Sequence, residues 1–169
     1  LTGLIEFLFG RSLWCSCNEL VVSSWVVFSR HNSQHLIDPY TFSHVLHGFI
    51  FFGIAWIFRN RFSPYARFLM AIVTEAGWEI LENSDFLINR YRTATFSLDY
   101  FGDSIANSIS DIVACAIGFL IASKIPLRYT ITLSLLIEIV MLATIRDNLL
   151  LNVVMLIYPI DWIRTWQAG

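Results

Sequence analysis

The chain has 169 residues, so we expect a single domain over residues 1–169. It is 56% hydrophobic and 14% charged, with a mean hydropathy of +0.62, whereas soluble domains average about 50% apolar and about 25% charged residues. One small core cannot bury this much apolar surface, so we predict an integral membrane domain. The net charge of −2 and the lack of any nucleic-acid motif argue against nucleic acid as a partner.

The first segment is too short to cross a bilayer. LTGLIEFLF supplies about nine apolar-leaning residues, while a spanning helix needs about 20. We therefore expect the end of a first transmembrane helix whose beginning is missing here. An amphipathic stretch and a polar loop follow over residues 12–40, with a C-x-C pair at Cys15 and Cys17 that could bind a metal or form a disulfide with a partner.

The rest of the chain is dominated by long apolar segments. We predict complete spans at about residues 42–58, 65–88, 104–123 and 129–145. The later segment LLLNVVMLIYPI is too short to cross, which favours an interfacial or re-entrant position. The sequence thus predicts an all-α, polytopic transmembrane bundle with about five spans, the first truncated, and a short C-terminal interfacial or re-entrant segment.

The loops between these spans alternate between the two sides of the membrane. One side carries only basic residues, namely Arg59, Arg61, Arg67, Lys124 and Arg128, while the other mixes basic and acidic residues. Cytoplasmic loops are enriched in Lys and Arg, so we predict that the purely basic side faces the cytoplasm.

Polar side chains recur at helical spacing inside three of the predicted spans. They are His44 and His47 in one span, Glu75, Glu79, Glu82 and Asn83 in the next, and Asp103, Asn107 and Asp111 in the third. With the orientation above, all three groups fall in the non-cytoplasmic half of the bilayer. Charged groups at this depth are costly and usually face the interior of a bundle, so the sequence predicts a polar pocket there.

Three interpretations of this cluster remain open. The first is catalysis, with a carboxylate or an imidazole as general acid or base. The second is a site for a divalent cation held by histidine and carboxylate ligands, although no zinc signature is present. The third is structural, with buried hydrogen bonds joining the helices. Asp103, beside Gly102, also suits a helix N-cap.

In the catalytic interpretation, the residues take two kinds of role. The expected acid/base or cation-binding groups are Glu75, Glu79 and Asp111, with His44 and His47 as proton carriers or ligands. Arg90 and Arg92, in the loop after the second complete span, are expected to clamp an anionic headgroup or pair with the acids. The expected substrate-binding groups are Glu82, Asn83, Asp103 and Asn107.

Long stretches of the chain resemble a known family. They are NSQHLIDPYTFSHVLHGFIFFG, EAGWEILENSDFLINRYRTATFSLDYFGDSIANSISD and IRDNLLLNVVMLIYP, with G-R-x-x-x-C-x-C near the start. They resemble an uncharacterised family of alphaproteobacterial integral-membrane proteins that carries a domain-of-unknown-function label. Asn18 stands where that family usually has glycine.

A more distant likeness is to VanZ-like membrane proteins, which are linked to glycopeptide tolerance. It involves Glu75 or Glu79, Arg92, Asp103, Asn107, Asp111 and Gly118. These resemblances imply a multi-pass location in the bacterial inner (plasma) membrane but no reaction.

We expect a site that binds or modifies a lipid-linked or envelope substrate, with membrane lipid as a partner. The alternative is a non-enzymatic accessory or structural subunit of a larger membrane complex, with other protein subunits as partners. Passage of protons or ions is a weaker alternative, because the acids occupy only one half of the bilayer.

Overall fold

The computed structural model describes residues 1–17, 19–97 and 100–169, so Asn18 lies outside the described residues. Over those ranges the chain is all-α, without a β-strand, and Ser23 and Ile37 form an isolated bridge. The helices are α1 (Thr2–Leu8), α2 (Thr41–Ile57), α3 (Pro64–Glu82), α4 (Asp85–Ala94), α5 (Ile105–Lys124), α6 (Leu127–Ile145), α7 (Leu149–Ile157) and α8 (Asp161–Ala168). The short C-terminal segment of the prediction contains helix α7, and α8 follows it.

The predicted span at residues 65–88 is wrong at its C-terminal end. Helix α3 stops at Glu82, and the extended backbone of Ser84 begins a separate helix. The Ser84 hydroxyl accepts the backbone N–H of Leu87, and Asp85 lies in the first turn, where a negative charge stabilises a helix N-terminus. The segment that carries Arg90 and Arg92 is therefore helix α4 and not a loop.

Two of the helices in the described ranges, α5 and α6, are long and apolar enough to cross a membrane. Helix α2 is apolar but has 17 residues. Helix α3 has 19 residues but includes Arg67 and three glutamates. By length and composition, the described chain has two candidate spans, not the predicted number of about five.

Helices α2 and α5 touch through their backbones at two glycines. A Cβ atom on Gly48 would lie 2.2 Å from the carbonyl oxygen of Cys115, and one on Gly118 would lie 2.2 Å from that of Val45. Small residues allow helices to approach this closely. The contact brings the first turns of α2, which carry both candidate histidines, against the polar stripe of α5.

A carboxylate from α6 fixes the start of α7. Glu138 accepts the backbone N–H groups of Leu149 and Leu150, each at 3.1 Å. The side chain of Asn148 accepts the N–H of Leu151 at 2.8 Å. These acceptors satisfy the free donors at a helix N-terminus, and they hold α7 beside the polar groups of α2 and α5.

We expect Gly118→Ala to lower the stability of the protein by on the order of 3 kcal/mol, because the added methyl group overlaps the backbone of α2. Gly53→Ala, in α2, is the matched control. Nothing lies within 4 Å of the Cβ it would add, so it should be neutral or slightly stabilising. Thermal unfolding in mild detergent, followed by circular dichroism, measures both effects. Equal unfolding temperatures for the two variants would contradict the close contact.

Candidate functional site

A buried glutamate on α3 joins the two histidines of α2. Glu75 is fully buried, and its Oε1 lies 2.6 Å from Nδ1 of His44. Nδ1 of His47 lies 3.1 Å from Oε1 and 3.0 Å from Oε2 of the same carboxylate. A carboxylate that accepts the Nδ1–H of an imidazole leaves Nε2 as the basic nitrogen. Glu75 therefore orients both imidazoles and defines their tautomers.

Two further buried carboxylates flank His44. Oε1 of Glu79 lies 3.3 Å from Nδ1 of His44, and Oδ2 of Asp111 lies 3.8 Å from Nε2. Within the described residues, both oxygens of Glu79 and Oδ1 of Asp111 have no hydrogen-bond partner. Their ion pairs in the described chain are with histidine, not with arginine or lysine. Three buried carboxylates beside two imidazoles must share protons or hold a cation.

A cavity of about 460 Å³ lies beside this cluster. Its polar lining includes His44, His47, Glu82, Asp103, Asn107 and Asp111. Apolar and aromatic side chains complete the wall, among them Phe51, Trp78 and Leu156. Glu75 and Glu79 are fully buried, so they can act on a ligand only through the histidines. A mixed wall of this kind suits a ligand with both an apolar and a polar part.

A second buried network joins α3 to the start of α5. The side-chain amide of Asn83 donates to Oδ2 of Asp103 and to the hydroxyl of Ser108, both at 3.1 Å. The backbone N–H of Asp103 donates to Oδ1 of Asn83 at 2.7 Å, and the Tyr100 hydroxyl donates to Oδ1 of Asp103 at 2.8 Å. Asn83 thus joins α3 to the start of α5 through buried hydrogen bonds.

The predicted N-cap role of Asp103 is wrong. Ser104 caps α5, because its hydroxyl accepts the backbone N–H of Asn107. Burial raises the pKa of Asp103 to about 7, and the hydrogen bonds from Tyr100 and Asn83 only partly offset this effect. Asp103 is therefore a carboxyl group that changes charge near neutral pH at the wall of the cavity.

The two arginines of α4 do not contact the acids of the cluster. Arg90 donates to the backbone carbonyls of Leu156 at 2.7 Å and Ile157 at 3.2 Å. Arg92 donates to the carbonyl of Tyr100. The expected pairing of these arginines with the carboxylates is thus wrong, since both hold loop and helix ends in place. Their role as anion clamps stays a prediction.

Other cavity residues were not singled out from the sequence. Tyr40, Tyr91 and Asn152 line the cavity, and the Tyr91 hydroxyl donates to Oε1 of Glu82 at 2.8 Å. Asn107 also has a partner that no local pattern indicates, because its amide donates to the carbonyl of His35 at 2.7 Å. These contacts join residues far apart in the chain, so helical spacing carries no signal for them.

Two overlapping groups in the cluster could hold a metal ion. Ligand atoms of His44, His47 and Glu75 lie within 4.8 Å of one another, as do those of His44, Glu79 and Glu82. Imidazole nitrogen and carboxylate oxygen are suitable ligands for zinc. The geometry therefore accommodates either a cation or shared protons between the imidazoles and acids.

We expect Asp103→Asn to change how stability depends on pH. The folded-state pKa of Asp103 is raised from 3.8 to about 7, so its stabilising neutral form is fully present below about pH 4 and is lost as pH rises through 7. Between pH 4 and 8 the wild-type protein should lose roughly 2–4 kcal/mol relative to the variant. Unfolding in mild detergent across this range measures the difference.

Asp85→Asn is the matched control for that experiment, because the side chain of Asp85 is 89% exposed. It should keep the wild-type pH dependence. Parallel stability curves for the wild-type protein and Asp103→Asn would contradict the assignment of a buried, neutral Asp103.

Comparison with known proteins identifies related sequences along nearly the whole chain. The chain is 49% identical over 166 residues to a UPF0314 protein of Rhizobium meliloti, covering 98% of this chain and 84% of the relative. It is 46% identical over 160 residues to one from Brucella anthropi, covering 95% of this chain and 81% of the relative. It is 42% identical over 160 residues to one from Paracoccus denitrificans, covering 95% and 83%.

No solved structure matches the chain. The family model described as "Protein of unknown function (DUF2585)" matches residues 6–169. The names of the relatives above state no activity, so the family assigns none. The chain belongs to the DUF2585 family, together with UPF0314 proteins of alphaproteobacteria.

Proposed function

We propose that this chain is a multi-pass protein of the bacterial inner membrane whose cavity binds or modifies a lipid-linked or envelope substrate. The observation that carries the proposal is the pairing of the buried Glu75 with His44 and His47 beside a cavity of about 460 Å³ with a largely apolar wall. Such a cavity suits a lipid chain with a polar group placed at the histidines.

The surface of the helices supports a membrane location. Only Thr130, Met141 and Ile145 are buried among the 19 residues of α6, although the helix is apolar. An apolar helix this exposed needs lipid or another protein around it. Helices α2 and α3 complete the proposed single membrane domain. Their buried polar side chains lower the mean hydropathy of these helices. These side chains face the interior of the protein, however, as polar groups in membrane proteins usually do.

The polar residues support a site in the periplasmic half of the bilayer. His44 and His47 lie near the start of α2, Glu79 lies in the last turns of α3, and Asp111 lies near the start of α5. The opposite ends of these helices carry the purely basic loops, which belong in the cytoplasm under the positive-inside rule. The distant VanZ-like resemblance agrees with a role in the envelope.

The chemistry we propose is general acid–base catalysis. His47 lines the cavity, and Glu75 holds its Nδ1, so Nε2 is the basic nitrogen that takes a proton from the substrate. His44 connects Glu75 and Glu79 on one side to Asp111 on the other, which provides a path for shared protons. A divalent cation at the same ligands would instead bind and polarise an anionic group of the substrate.

The second candidate is an accessory or structural subunit of a membrane complex. The exposed apolar surface of α6 favours it, since another subunit could cover that surface as well as lipid does. The hydrogen-bonded network of Asn83, Asp103 and Ser108 would then join the helices without any chemistry.

We expect Glu79→Gln and Asp111→Asn to abolish function while expression and folding stay largely intact. Each amide keeps the shape of the side chain but removes a carboxylate that shares protons with the histidines. The protein, reconstituted in vesicles of total inner-membrane lipid extract, is assayed by mass spectrometry for bound or modified lipid-linked species. Glu19→Gln, in an exposed position, is the matched control. Unchanged lipid species in both site variants, with a stable protein partner co-purifying in mild detergent, would favour the accessory subunit.

The proposed orientation predicts the activity of alkaline phosphatase fusions, since this enzyme folds only in the oxidising periplasm. Fusions after Arg61 and after Ile125, at the basic ends of the helices, should be inactive. Fusions after Asn32 and after Asp147 should be at least tenfold more active at equal expression. The reverse pattern would place the cavity on the cytoplasmic side.

A further inference from the structure

Four ligand-bearing side chains meet outside the cavity cluster. Cys15 and Cys17 precede α2 in the chain, as do His31 and His35, and their ligand atoms all lie within 4.8 Å of one another. His35 is fully buried and Cys15 is 5% exposed. The imidazole of His35 also packs edge-on against the indole of Trp14. The four side chains therefore form a compact and partly shielded group.

The two sulfur atoms are bonded to each other in this structure, but the distances from the imidazole nitrogens are close to those of a tetrahedral metal site. Nδ1 of His31 lies 3.1 Å from Nε2 of His35 and 4.0 Å from Sγ of Cys15. Tetrahedral zinc with ordinary bond lengths would place two nitrogen ligands about 3.3 Å apart, and sulfur and nitrogen ligands about 3.6 Å apart. Two thiolates would also neutralise the charge of a divalent cation, which suits a partly buried position.

The structure joins Cys15 and Cys17 by a disulfide. The imidazoles of His31 and His35 then hydrogen-bond to each other, and Nδ1 of His35 has no partner within the described residues. A bridge between residues two apart closes a very short loop, so it constrains little of the unfolded chain. The backbone N–H of Cys17 donates to Sγ of Cys15 at 3.2 Å, a contact that would also stabilise a thiolate. Coordination of a metal uses all four side chains.

The start of α5 holds both segments of the group in place. We call residues 12–17 the cysteine arm and residues 31–35 the histidine arm. The backbone N–H groups of Ile105 and Ala106 donate to the carbonyls of Ser12 and Leu13, just before the cysteines. On the histidine arm, the N–H of Ser104 donates to the carbonyl of Ser33. These hydrogen bonds bring the two arms together without any metal, so the site is pre-organised.

The histidine arm is also part of the cavity wall. Asn32 and Ser33, which lie between the two histidines, line the cavity, and the carbonyl of His35 accepts the amide of Asn107. A cation held by this arm and the cysteine arm would therefore fix one rim of the cavity.

We propose that the dithiol form of Cys15 and Cys17, together with His31 and His35, binds one zinc ion that clamps the segment before α2 onto the rim of the cavity. Cysteines enter the chain as thiols, so zinc that binds them before they are oxidised in the periplasm needs no electron transfer. Each thiol loses one proton as its sulfur binds the metal. Oxidation to the disulfide removes two electrons and two protons and competes with zinc.

The test uses the full chain in mild detergent. A phosphine first reduces the disulfide: the phosphine and water react with it to give two thiols and the phosphine oxide. After removal of the reductant, Co²⁺ is titrated as the spectroscopic probe and then displaced with Zn²⁺. We expect one Co²⁺ per chain with a thiolate charge-transfer band and the visible bands of a tetrahedral site, and Co²⁺ bound at the His44 cluster would add no charge-transfer band. The Cys15→Ser/Cys17→Ser double variant should lose the charge-transfer band, and His31→Asn should weaken Co²⁺ binding at least tenfold.

Two controls separate this site from the cavity cluster. Cys115→Ser removes the remaining thiol, and His47→Asn removes a ligand of the other candidate metal group; both should keep the charge-transfer band. Because the double variant could misfold, Zn²⁺ protection of the wild-type thiols from maleimide gives an independent measurement, with at least tenfold slower labelling expected. Failure of the reduced wild-type protein to bind Co²⁺, or a charge-transfer band kept in the double variant, would overturn the proposal.

Discussion

The backbone contact between α2 and α5 is the constraint on which the rest of the site depends. Gly48 lies one residue after His47, and Gly118 lies two turns after Asp111, so the closest approach of the two helices is next to the polar residues. Any side chain at either glycine would separate the helices. With the helices in contact, His44 reaches Asp111 on one side and the glutamates of α3 on the other.

This arrangement concentrates negative charge where it is costly. Glu75, Glu79 and Asp111 are buried next to one another, and within the described part of the chain only imidazoles pair with them. The desolvation of three carboxylates exceeds what two histidines can offset if all three remain charged. The native state must therefore hold protons or a cation in the cluster. That requirement links the stability of the fold to the chemistry that the site can perform.

Segments outside the long helices complete the walls of the cavity. Helix α7 is held by Glu138, and the histidine arm is held by the first turn of α5. The arginines of α4 donate to backbone carbonyls near the cavity, Arg90 to two at the end of α7 and Arg92 to that of Tyr100. Guanidinium groups with several donors can satisfy carbonyls at helix ends, so here they hold the rim in position.

The sequence by itself determined the long apolar helices and the polar positions along them, because both follow from local spacing and hydropathy. It placed α2, α5 and α6 within about two residues and showed that His44, Glu75 and Asp111 lie on helical stripes. The predicted span at residues 65–88 missed the break at Ser84, although the polar run ENSD at residues 82–85 contains the N-cap.

Only the tertiary structure decided which polar groups meet. Glu75 pairs with both histidines of α2, Asn107 pairs with His35, and the cysteine arm meets the histidine arm. These contacts join positions from 14 to 72 residues apart. Helical periodicity shows which face of a helix a residue occupies but not which helix faces it. That choice depends on where two backbones can come into contact. Gly48 and Gly118 allow this contact between α2 and α5, but the sequence does not show that the two glycines lie on facing sides.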